Sequence, residues 1–157
     1  MTNSNIQISL YIHTPWCIHK CPYCDFNSHA VKGTLPESRY IDALIEDFES
    51  QQANLAGRSI KTIFIGGGTP SLFSANSYKK LLNTLRSLAP IDSDAEITLE
   101  ANPGTVEQAR FQGYHQAGIN RLSIGIQSFD DHQLKTLQRI HTAAEAIKSV
   151  NIAKKSG

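Results

Sequence analysis

Strand-like and helix-like segments alternate along this chain with little between them. That alternation confines it to a parallel βα architecture. Residues 8–13 form a short β-type run. Thr34-Leu-Pro-Glu37 has the form of a capping box with Pro inside the first turn, and Tyr40, Ile41, Leu44, Ile45 and Phe48 follow at helical steps. Residues 62–65 read as a buried strand running into Gly66-Gly67-Gly68. Ser74 is placed to cap a helix with Leu81, Leu82, Leu85 and Leu88 on its inner face and Pro90 beyond its end. Residues 96–100 alternate as a third strand. Thr105-Val-Glu-Gln108 is a second capping box, opening a helix with Ala109, Phe111 and Tyr114 that stops near Gly118. Residues 121–126 make a fourth strand. Two short helical segments follow, one through Leu134 and Leu137 and one opened by the box Thr142-Ala-Ala-Glu145. Four βα units and a further helix result. An open doubly wound sheet and part of a βα barrel both satisfy them.

At 157 residues the chain is one domain by length. With 40% apolar and 18% charged residues it is expected to be a soluble globular protein, and a net charge of +1 without basic runs gives no case for nucleic acid or an anionic membrane surface. No apolar stretch is long enough to span a bilayer, so an integral membrane protein is not expected. The polar, uncharged start at Met1 does not read as a secretory leader. The three cysteines therefore read as thiols of a reducing compartment, and the expected location is cytoplasmic.

Those cysteines, Cys17, Cys21 and Cys24, are spaced C-x3-C-x2-C directly after the first strand. A structural zinc site takes four ligands, and an ordinary iron–sulfur cluster takes four cysteines. Three thiolates leave one position open. In parallel βα folds, ligand sites form at the C-terminal ends of the strands, and the unusual residues of this chain fall there. The cysteine loop follows strand one, Gly66-Gly-Gly-Thr69-Pro-Ser71 strand two, Glu100-Ala-Asn-Pro-Gly104 strand three and Gln127-Ser128 strand four.

Each feature also has a plainer reading. The triple glycine lets a ligand approach bare backbone, or makes a tight βα turn. It is neither G-x4-G-K-[ST] nor G-x-G-x-x-G, which disfavours nucleotide binding by those modes. Glu100 suits a ribose or a cation, or pairs with a helix dipole. Gln127 is a ligand contact or a turn stabiliser. A lone arginine such as Arg139 belongs by default on a solvated helix face. His13, His19 or His29 could complete a Cys3His zinc site; His115, His132 and His141 read as ordinary helix or loop residues. Cys21-Pro-Tyr-Cys24 taken alone has the dithiol pattern of glutaredoxins.

The cysteine spacing, with Tyr23 just before Cys24, resembles the radical S-adenosylmethionine (SAM) enzymes. Leu10-Tyr-Ile-His-Thr-Pro-Trp-Cys17, Gly66-Gly-Gly-Thr-Pro-Ser71, Glu100-Ala-Asn-Pro-Gly104 and Ile124-Gly-Ile-Gln-Ser128 narrow the resemblance to the oxygen-independent coproporphyrinogen III oxidase family, and within it to the HemW-type heme chaperones. The resemblance implies an α/β fold that is the N-terminal part, about four βα units, of a partial (β/α)6 TIM-like radical SAM barrel. It implies that Cys17, Cys21 and Cys24 hold a [4Fe-4S] cluster whose free iron binds SAM, which is cleaved reductively to methionine and a 5′-deoxyadenosyl radical. Tyr11, Tyr23, Gly67, Gly68, Thr69 and Glu100 would line the SAM site, while Gln127 and Arg139 match positions that contact a second SAM in the oxidases. Heme, or a porphyrin, would be the cargo or substrate; the resemblance names neither the heme-acceptor protein nor the electron donor.

Two departures refine this. The oxidases carry a further cysteine two residues after the last cluster ligand, where this chain has Phe26. That favours the chaperone branch, which binds heme and passes it on, over decarboxylation of coproporphyrinogen III. The chain also ends after four and a half βα units, so residues 1–157 are expected to form an incomplete core domain that does not by itself complete heme transfer.

Overall fold

In a computed structural model, residues 7–104 and 109–157 are described. The capping box at residues 105–108 lies outside them. Four parallel strands form the main sheet in the order β1 (Ile8–Thr14), β4 (Ile60–Gly67), β5 (Ile91–Ala101) and β6 (Arg121–Ile124). Two short strands, β2 (Trp16–Cys17) and β3 (His29–Ala30), pair in parallel within the cysteine loop. The helices are α1 (Glu37–Gln51), α2 (Ala75–Leu88), α3 (Phe111–Gln116), α4 (Asp131–Thr136) and α5 (Ala143–Lys155).

Strand alternation sorts the side chains between two unlike faces. Ile12, Ile63, Ile65, Ile97 and Leu99 join Ile41 and Phe48 of α1, Leu81, Leu82 and Leu85 of α2, and Phe111 and Tyr114 of α3 in one core. Each fully buried Leu or Ile contributes about 1.5–3 kcal/mol. In register, Tyr11, Phe64, Thr98 and Arg121 lie side by side on the opposite face. That face is polar: Thr62 Oγ1 donates to Ser9 Oγ at 2.8 Å, and Arg121 donates to Thr98 Oγ1 at 3.1 Å beside Glu96. A doubly wound sheet needs both faces apolar and covered by helices. This sheet meets that need on one face only, which decides for part of a barrel whose concave side is the polar face.

The capping expectations divide. Ser74 accepts from the Ser77 N–H at 3.2 Å, and Thr142 with Glu145 forms a complete capping box at the start of α5. The Thr34–Glu37 box does not form: Pro36 is the N-cap without a side-chain bond, and Glu37 instead accepts from the Ser74 N–H at 2.6 Å. The carboxylate is turned to the start of α2 and not to its own helix start. Gly118, at φ 103°, follows α3 where a left-handed residue ends a helix.

Candidate functional site

The cysteine loop leaves β1 and returns at β3. Cys17 is buried because it belongs to β2, where its carbonyl accepts from the Val31 N–H at 2.8 Å. Cys21 and Cys24 are half-buried in a single turn closed by the Cys24 N–H on the Cys21 carbonyl at 3.0 Å. No helix starts there, so the helix N-terminus that activates dithiol motifs is absent from this one. Lys20 Nζ donates to the carbonyls of Phe26 and Ser28 at 3.3 and 3.0 Å, and His13 Nε2 pairs with the Asn27 carbonyl at 2.8 Å.

The glycine turn is held against this loop by backbone bonds. The Gly68 N–H donates to the Thr14 carbonyl and the Thr69 N–H to the Trp16 carbonyl, both at 2.7 Å. Side chains are excluded here for steric reasons: a Cβ on Gly68 would lie 2.5 Å from the Trp16 carbonyl oxygen, and one on Gly67 2.5 Å from the His13 ring. Gly67 also sits at φ 116°, a conformation that L side chains rarely adopt. From beneath, the buried Tyr78 hydroxyl donates to the Pro70 carbonyl at 2.7 Å, and the Tyr114 hydroxyl lies 2.7 and 2.8 Å from the carbonyls of Ser71 and Phe73. Burial, followed by the nearby Tyr114, holds the Tyr78 hydroxyl well above its ordinary pKa, so it remains a donor.

The ends of β5 and β6 complete the arrangement. Glu100 accepts from the Gly67 N–H at 3.0 Å. Asn102 Nδ2 donates to Thr69 Oγ1 at 3.0 Å. Gln127 is exposed at φ 70°. Arg139 lies just past α4, and its guanidinium reaches back into the site. The solvated helix face expected for a lone arginine is corrected accordingly. Burial, then a hydrogen bond with Cys21, raises the Tyr23 pKa, against the opposing charge of Arg139.

A cavity of about 370 Å³ opens between these elements, within the ~300–1,000 Å³ span of small-molecule and cofactor sites. Cys17, Cys21, Cys24, Tyr23, Gly67, Gly68, Thr69, Glu100, Gln127 and Arg139 all line it. Tyr11 does not. It is 57% exposed on the polar face of the sheet, with its ring against Phe64 and its hydroxyl 2.9 Å from His13 Nδ1. Among the described residues no three His, Cys, Asp or Glu side chains converge on one metal ion. Both ring nitrogens of His13 are engaged, His29 is exposed on β3, and His19 alone of the three candidates lines the cavity. His141 proves buried, its Nε2 on the Ile126 carbonyl at 3.0 Å.

Sequence reasoning missed Asn102 as a bridge, Lys20 as the internal tie of the loop, and Tyr78 and Tyr114 as supports of the glycine turn. The signal for Asn102 was its place two residues after Glu100. The tyrosines carried none beyond helical spacing.

The radical SAM superfamily profile matches residues 11–157. The chain is 55% identical over 146 residues to the heme chaperone HemW of Escherichia coli, covering 93% of this chain and 39% of that protein. It is 55% identical over 154 residues to HemW of Haemophilus influenzae, covering 96% and 40%. The mitochondrial radical S-adenosyl methionine domain-containing protein 1 of Bos taurus is 36% identical over 144 residues, 92% of this chain and 32% of that one. The chain thus spans about two-fifths of the length of these HemW relatives. Among solved structures, the coproporphyrinogen III oxidase HemN of Escherichia coli, a radical SAM enzyme, superimposes with a TM-score of 0.87 at 28% identity, over 98% of this chain and 36% of that one. No helix among the described residues is long and apolar enough to cross a membrane. With the four-strand parallel sheet and this profile match over nearly its whole length, the chain belongs to the radical SAM superfamily.

Proposed function

We propose that residues 1–157 form the cluster- and SAM-binding part of a heme chaperone's core domain. The observation that carries this reading is the meeting of three free thiols, bare glycine backbone, a carboxylate and an amide around one cavity. The donor set fits a cubane. Zinc draws all its thiolates to one point about 2.3 Å away, whereas cubane thiolates each bind a different iron, so the absence of a single-ion constellation does not count against them.

Cys17, Cys21 and Cys24 would hold the cluster, with its fourth iron left for SAM; once bound, that pair supplies reductive cleavage chemistry. The chain's own residues do the positioning. Gly67 and Gly68 line the cavity where a Cβ would strike the His13 ring or the Trp16 carbonyl, Thr69 lines it with its hydroxyl held by Asn102, and Glu100 presents a carboxylate already oriented by the Gly67 N–H. Tyr23 and Gln127 border the same space, and Tyr11 would have to turn from its present place to reach it.

The high identity to HemW proteins and Phe26 in place of a further cysteine favour heme as cargo. The alternative is a coproporphyrinogen-oxidase-like oxidoreductase, favoured by the overlap with HemN. Anaerobic reconstitution tests the shared part: about four irons and four sulfides per chain, with an EPR signal altered by SAM, is expected. Bound zinc, or a reversible Cys21–Cys24 disulfide without iron, would refute it. Heme titration beside an anaerobic decarboxylation assay on the full-length protein then separates chaperone from oxidase.

A further inference from the structure

One cation ties the cysteine loop to the far side of the sheet. Arg139 Nη1 donates to Cys21 Sγ at 3.3 Å and lies 3.5 Å from the Tyr23 hydroxyl, while Nη2 donates to Asn102 Oδ1 and to the Gly125 carbonyl, each at 2.7 Å. Asn102 passes the connection to Thr69, whose N–H returns it to the Trp16 carbonyl beside Cys17. The ends of β4, β5 and β6 and both ends of the Cys17–Cys21 segment are thereby joined through side-chain and backbone bonds.

Local structure aims this arginine. The Arg139 N–H bonds the Leu134 carbonyl, the Gln138 N–H bonds the Lys135 carbonyl, and Gln138 sits at φ 53°. That is the Schellman termination of a helix, with a left-handed residue reversing the chain at the end of α4. Gly125 leaves room for the bridging amide: a Cβ there would lie 3.2 Å from Asn102 Oδ1, tighter than a normal contact. Arg139 Nε is buried without a hydrogen-bond partner, so the two Nη groups carry all of these contacts. A planar guanidinium can serve several acceptors at fixed angles, which a lysine ammonium cannot.

We infer that Arg139 is a positioning residue for the middle thiol of the cluster loop. It fixes Cys21 against the ends of β5 and β6 before metal arrives, and afterwards keeps a donor and a positive charge on the Cys21 sulfur. The inference rests on the cluster reading, and it differs from a role as a SAM contact because it acts without SAM. Hydrogen bonds to the sulfurs and local charge set the potential of an iron–sulfur cluster.

The test compares full chains carrying Arg139→Gln, Arg139→Lys and Asn102→Ala with the unaltered protein, first without SAM and then with it. In the metal-free proteins, amide exchange across residues 18–28 is expected to quicken several-fold in R139Q while the 66–69 turn is unchanged. After reconstitution, R139Q is expected to take up iron several-fold more slowly and to give a lower midpoint potential. R139K, keeping charge without the fork, falls between, and N102A moves the same way by less. Equal exchange, iron uptake and SAM-free potential in R139Q and the parent overturn the inference, as does a change in R139Q seen only once SAM is added. If the parent itself takes up no iron, the cluster reading falls, and the exchange of residues 18–28 still decides the role of Arg139.

Discussion

The glycine turn and the cysteine loop face each other across one cavity, yet they are held in different ways. Residues 66–73 rest on the core: the hydroxyls of Tyr78 and Tyr114, both fully buried, and the guanidinium of Arg110 hold the carbonyls of Pro70, Ser71 and Leu72. The cysteine loop has little beneath it. Ile18, Tyr23 and Phe26 are 58%, 46% and 65% exposed, and beyond the β2–β3 pairing at its two ends the loop is fixed by side-chain tethers from His13, Lys20 and Arg139. A wall that recognises an organic ligand gains from being rigid beforehand, since its groups then lose little freedom on binding. A loop that wraps an inorganic ligand can take its final rigidity from the metal.

This contrast can be broken by substitution. The largest effect is expected at the thiols: Cys24→Ser should cut reconstituted iron from about four per chain to below about one, while the metal-free melting midpoint stays put. A large drop in that midpoint would mean that the loop supports the fold after all. Next in size, Tyr114→Phe removes the one hydroxyl proton shared by the Ser71 and Phe73 carbonyls, of which Ser71 keeps Arg110 as a donor, and should cost about 1–2 kcal/mol in urea unfolding, with iron uptake retained by the folded fraction. Unchanged stability would remove the distinction between the two walls.

A smaller effect concerns Glu37, which couples α1 to the cap of α2. Burial pushes its carboxyl upward, but bonds from Ser74 and Ser77 and the nearby Arg110 outweigh this and hold it below its ordinary 4.5. The native state therefore binds this proton less readily than the unfolded chain. The stabilisation is present above that ordinary value and is lost as pH falls through the lowered one. Acid unfolding of Glu37→Gln should show a shallower loss of stability below about pH 4.5 than the parent. The smallest effect is a gain: Gln138→Gly relieves a left-handed non-glycine residue and should stabilise by roughly 0.5 kcal/mol or slightly more, net of the added freedom of the unfolded chain. If Arg139 stays in place, iron uptake should not change.

Much of the site was legible in the chain because its signals are local. Cysteine spacing, the glycine run and Glu100 are each readable within a few residues, and the rule that ligand sites lie at strand ends gathered them correctly around one cavity. The two-faced sheet was legible only in part: residues 96–100 alternate, but residues 62–65 read as a buried run, and the pattern leaves the doubly wound sheet and the partial barrel both open. Less legible were competitions for a partner. Thr34-Leu-Pro-Glu37 has the letters of a capping box, but Glu37 had a tertiary donor available in the part-buried Ser74 N–H, while Thr34 is exposed and its backbone can be served by water.

By itself, then, the sequence determined the βα order, the identity of the thiols and the strand ends that line the cavity, because hydrophobic period and motif spacing are properties of neighbouring residues. The tertiary structure alone decided which distant groups meet. It brought Arg139 to Cys21 across 118 positions and Tyr114 to Ser71 across 43, and it left Tyr11 outside the cavity. Such meetings depend on how helices seat on the sheet and on a single left-handed turn at Gln138, and no local pattern of residue types records where a side chain so aimed will arrive.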